Sequence, residues 1–116
     1  MALRPALLEA LVLVASSPEE QVEWARRYRV GPDEIALMFD DAWRAPRGEL
    51  TGEDLAGLRA IDAVLDEMSA DRAVDHWSEA ALAEDAGWER ARVLAREILG
   101  REGAAPGPLP EIHVIR

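Results

Sequence analysis

Carboxylates are the side chains in this chain whose types and spacing could do chemistry. Asp40 and Asp41 are adjacent, Asp62 and Asp66 stand four apart, and Glu19-Glu20-x-x-Glu23 makes a third acidic run. Two helices that each present acids at neighbouring positions can gather the oxygen ligands taken by Mg²⁺ or Ca²⁺, as metal sites in helical bundles do. Asp40 and Asp41, however, project about 100° apart around a helix, and no Glu-x-x-His pair accompanies them, so no metal site is expected. His76 follows Asp75, and His113 lies near the C-terminal end; neither has a motif around it. Ser17 and Thr51 read as helix caps, and no serine sits in a nucleophile elbow. The absence of lysine excludes a lysine-dependent Walker motif, and the absence of cysteine removes disulfides, thiolate metal sites and cysteine nucleophiles together. The expectation is a non-enzymatic protein with no catalytic residue and no cofactor.

As a group the acids make a field. Sixteen of the 23 fall between Asp33 and Glu89, opposed by Arg44, Arg47, Arg59 and Arg72, so this stretch carries a formal charge of −12 within a chain of −10. Such a surface repels nucleic acid and anionic membranes and attracts basic proteins. Arginines cluster as Arg26, Arg27 and Arg29 and again as Arg90, Arg92 and Arg96, where offsetting helix dipoles and pairing within the helix account for them. Lack of cysteine fits a reducing cytoplasm, and no run approaches the ~18 to 20 apolar residues that span a bilayer. The apolar run Ala6–Ala15 after Arg4 has the outline of a secretory signal, but Glu9 interrupts it, and it is read as a buried helix.

The elements that must position these groups are helices. Apolar periodicity and punctuation predict an all-α bundle of five or six, with a helical domain over 1–102 and a Pro/Gly linker and extended tail over 103–116. A nearly all-apolar helix covers about Pro5–Ala15. Ser17-Pro18-Glu19-Glu20 starts a second with a capping box, and Gly31-Pro32 ends it. A third, about Pro32–Trp43, has Ile35, Met38, Phe39 and Ala42 on its core face and Trp43 at the margin. Thr51, with Asp54 three residues on, caps a fourth that buries Leu58, Ile61, Leu65 and Met68. One or two short helices surround Trp77 and Leu82. A last helix, about Gly87–Leu99, buries Trp88, Ala91, Leu94, Ala95 and Ile98 and stops at Gly100; the end Glu111–Arg116 is apolar enough to dock as a strand, the alternative being a frayed terminus.

On the third helix Leu37 falls among Asp33, Glu34, Asp40 and Asp41, away from the core face. An apolar residue inside a charged rim is the layout of an interface core, unless another helix covers it. Glu19-Glu20-x-x-Glu23 resembles the first metal-binding run of the all-helical nucleotide pyrophosphohydrolases related to MazG. That family's second helix carries Glu-x-x-Asp, a spacing found nowhere in this chain, and Glu20 is also explained by the capping box. Ser17–Trp24 (SPEEQVEW), Ala36–Trp43 (ALMFDDAW) and Ala60–Ser69 (AIDAVLDEMS) look like small helical proteins of actinobacteria. In size, helicity and charge over residues 3–101 the chain also resembles the acidic helical immunity proteins of bacteriocin and polymorphic-toxin systems. That resemblance implies an immunity or antitoxin-type inhibitor that binds a basic partner, a toxin or nuclease domain, as a cytoplasmic monomer or weak homodimer. The matching positions would be Asp33, Glu34, Asp40, Asp41, Asp62 and Asp66 for charge, with Leu37 and Trp43 as apolar anchors. The alternatives are a DNA-mimic inhibitor of a nucleic-acid-binding protein and a metal-dependent all-α phosphohydrolase.

Overall fold

The computed structural model describes residues 3–44 and 46–103. Of the expected linker and tail only Gly103 falls within that range; His113 and the strand-like end lie outside the described residues. Within it the chain forms six α-helices, α1 (Pro5–Ala15), α2 (Pro18–Tyr28), α3 (Asp33–Arg44), α4 (Gly52–Ala70), α5 (Glu79–Glu84) and α6 (Ala86–Arg101), with a 3₁₀ turn at Pro46–Glu49. No strand occurs among the described residues.

The bundle is built around α1 and α6. α1 packs on α3 and α6, α6 also receives α4 and α5, α2 lies on α5, and α3 meets α4. Leu7, Leu11, Leu13 and Val14 of α1 are fully buried, as expected of a helix apolar on nearly every side. Leu58, Ile61, Leu65 and Met68 of α4 point inward, and so do Trp88, Ala91, Leu94, Ala95 and Ile98 of α6. The two helices approach closely where they carry glycine. A Cβ at Gly57 would lie 3.0 Å from the Ile98 side chain, and one at Gly87 would lie 2.7 Å from the Met68 sulfur.

An α-helix leaves its last four carbonyls without intrahelical partners, and α1 has no basic residue in its last turn to offset its dipole. The rest of the fold satisfies them. Ser16 Oγ donates to Val12 at 2.7 Å, Gln21 Nε2 to Leu13 and Val14 at 3.1 and 3.0 Å, and Arg96 Nε to Ala15 at 2.9 Å. Gln21 is itself buried and accepts a 2.8 Å hydrogen bond from Arg92 Nη1, which is also buried. Arg92 therefore does not belong to an outward basic patch with Arg90 and Arg96. It supports the amide that closes α1, and Glu89, 3.3 Å away, balances its charge from the surface.

Several helix ends differ from their predicted form. The capping box at Ser17 and Glu20 is present, but Thr51 makes no side-chain cap, and Asp54 turns instead to Arg101 at 3.2 Å. The left-handed residue that ends α2 is Arg29, with φ +56°, two positions before Gly31. α6 runs through Gly100 to Arg101, and the positive φ falls on Gly103.

Candidate functional site

α3 and α4 meet along a groove with Leu37 at its lip. The first turn of α3 carries Asp33 and Glu34, which suit the positive end of its dipole, and the buried stripe Ile35, Phe39 and Trp43 sets the helix's rotation. That rotation leaves Leu37 on the outside, 52% exposed, so no other helix among the described residues covers it. Two adjoining hollows share Ala36, Leu37 and Ser69 as lining. One continues past Asp40, Asp62, Leu65 and Asp66, and the other past Asp33 to Trp77.

Five of the eight candidate residues, Asp33, Leu37, Asp40, Asp62 and Asp66, are thus brought to one groove from two helices. Glu34 and Asp41 line neither hollow and can contribute only to the surrounding field. Trp43 is corrected: it is 2% exposed and stacks on Phe39 at a ring separation of 6.3 Å, so it belongs to the core and is closed to a partner. It sits four residues after Phe39, on the stripe the helix buries. Arg44 lines the groove and pairs with Asp40 one turn back. Among the described residues no three acidic or histidine side chains gather closely enough to hold a metal ion.

A second cluster is next in the chain to Trp77, which lines one end of the groove, and it had no sequence signal. The segment between α4 and α5 is tied down by His76, whose Nε2 meets Asp71 at 2.9 Å and whose Nδ1 meets Asp85. Asp71 is the C-cap of α4, and Asp85 is the N-cap of α6, accepting from the Gly87 N–H at 2.7 Å. His76 therefore fastens the ends of two helices together. Both ring nitrogens are engaged, which leaves neither available as a general base.

Its hydrogen bonds to Asp71 and then Asp85 hold the His76 pKa above the usual 6.5, and its hydrogen bond in turn holds the Asp71 carboxyl below the usual 3.8. The contribution of the raised histidine is full below 6.5 and is lost as pH rises through its higher folded value. That of the depressed aspartate is present above 3.8 and is lost as pH falls through its lower folded value. Denaturation midpoints of the whole chain are therefore expected to fall between about pH 6 and about pH 9, and His76→Gln is expected to flatten that fall. A wild-type midpoint that does not change over this range would show that the clasp carries no stability.

No family model, curated protein or solved structure matches the chain. No helix among the described residues is long and apolar enough to cross a membrane.

Proposed function

We propose that the chain is a non-enzymatic binding protein of the immunity or antitoxin type, an inhibitor whose α3/α4 groove receives a basic protein such as a toxin or nuclease domain. One observation carries the reading: Leu37 stands half in solvent at the lip of a groove lined by Asp33, Asp40, Asp62 and Asp66. Exposing a large aliphatic side chain is ordinary in isolation, but placed inside a charged rim it becomes an anchor that a partner can desolvate while its cations meet the surrounding carboxylates. The −12 of the central stretch extends the attraction beyond contact distance and steers a basic partner inward. Charge would set the rate of association, and the anchor would slow release.

Affinity capture from the native organism, at low and at high salt, tests the proposal. A basic protein encoded beside this chain's gene, retained at low salt and released at high salt, is the expected result. Its association rate should fall as salt rises, because screening shortens the reach of the field to about 10 Å at 0.1 M. An association rate indifferent to salt would remove the electrostatic part of the proposal. Competition by duplex DNA for the same site on the captured partner would identify the chain as a DNA mimic instead.

A further inference from the structure

Trp77 lines the end of the groove with Asp33, Ala36, Leu37 and Ser69, and it follows His76 directly in the chain. Its ring stands edge-on to the buried Trp88, with centroids 5.8 Å apart. The Trp88 indole N–H donates to the His76 carbonyl at 2.8 Å, and the Trp77 amide donates to Asp75 at 2.9 Å. Position and orientation of Trp77 thus depend on the two residues before it and on one core tryptophan. His76, whose carbonyl takes the Trp88 bond, has its imidazole fixed between Asp71 and Asp85, and that ring gains or loses a proton near neutral pH.

We propose that Trp77 forms the aromatic end wall of the α3/α4 groove and that His76, clasped between Asp71 and Asp85, is the positioning residue that sets it, so that the shape of the groove depends on the protonation of His76. The inference rests on reading the groove as a binding surface. Both elements packed against the ring face it with carboxylates, Asp71 from the end of α4 and Asp85 from the start of α6. Protonated, the ring donates to both. Neutral, it has one N–H, so one carboxylate keeps its hydrogen bond and the other faces a lone pair. The tie between α4 and α6 then opens on one side, and the next residue is the groove wall. An interface tryptophan is a frequent hot spot, so a wall that shifts would change affinity without any change in the acidic rim.

The test needs no partner. Nuclear magnetic resonance of the full chain, titrated from about pH 5.5 to about pH 9.5, follows the His76 ring, the Trp77 indole N–H and the Leu37 methyls. Trp77 and Leu37 are expected to shift with the same midpoint as His76, above the ordinary 6.5, while the buried Trp24 indole does not follow. In His76→Gln the Trp77 and Leu37 titrations should vanish. Trp77 and Leu37 resonances that stay flat while His76 titrates would overturn the positioning role and leave the binding proposal standing. Coupled resonances in a chain that captures no basic partner would overturn the use of the wall in binding and leave the coupling itself.

Discussion

Gln21→Leu is expected to lower the free energy of unfolding by about 3 to 5 kcal/mol, although leucine is more apolar and of similar size. Counting apolar burial alone would give the opposite sign. Gln21 is fully buried, and its amide does two jobs at once: Nε2 donates to Leu13 and Val14, and Oε1 accepts from Arg92. Leucine removes all three bonds. The Val14 carbonyl is left without its donor, the Leu13 carbonyl keeps only the Ser16 backbone N–H at 3.2 Å, and a buried guanidinium loses its best-placed partner, at about 1 to 3 kcal/mol for each group left unsatisfied. Arg92→Met should cost less, about 1 to 3 kcal/mol, because it leaves only the Gln21 oxygen without a donor. Combined with Arg92→Met, Gln21→Leu should cost less than the two apart, since no charge is then stranded, but the unsatisfied Val14 carbonyl keeps the total above zero. Urea denaturation of the three variants measures this directly. A Gln21→Leu chain as stable as the parent would show that the network is incidental to the fold.

Leu37→Asp is expected to weaken the partner complex about 30-fold or more while changing stability by less than about 0.5 kcal/mol. The side chain is 52% exposed, so the folded chain loses little on its replacement. A partner seated on it would lose an anchor and gain a charge to desolvate. Val74 is as exposed, at 53%, but lines neither hollow of the groove. Val74→Asp should therefore leave affinity within about threefold. Equal losses at both positions would show that surface apolarity in general, rather than the groove, drives binding. Calorimetry on the captured partner, with thermal melts of each variant, separates these outcomes.

The longer helices were legible in the sequence because each carries its own periodic signal, whereas α5 has only six residues and Trp77 lies in the turn before it. Leu58, Ile61, Leu65 and Met68 recur at spacings of three and four, and Ser17-Pro18-Glu19-Glu20 carries its cap in four consecutive residues. The outward turn of Leu37 followed from the same rule. What periodicity could not show were the polar side chains turned inward. Glutamine and arginine usually lie at the surface, but Gln21 and Arg92 are buried because α1 ends inside the bundle and its carbonyls need donors. His76 was hidden for a related reason. Its partners stand five and nine residues away at the ends of two different helices, a juxtaposition created only when α4 and α6 pack. The groove needed the same information: α3 and α4 each displayed their acids in the sequence, but which of them share a lining depended on how the two helices meet. Trp43 shows the limit from the other side, since one step around the helix separates a margin from a core position.

Site-specific photo-crosslinking in the native organism tests the central claim most directly, with the photoreactive residue placed at position 37 in the groove or at position 97 on the exposed side of α6. One basic protein joined to the chain from position 37, diminished by added salt and absent from position 97, is the expected result. No adduct from position 37, or the same adducts from both positions, would contradict it.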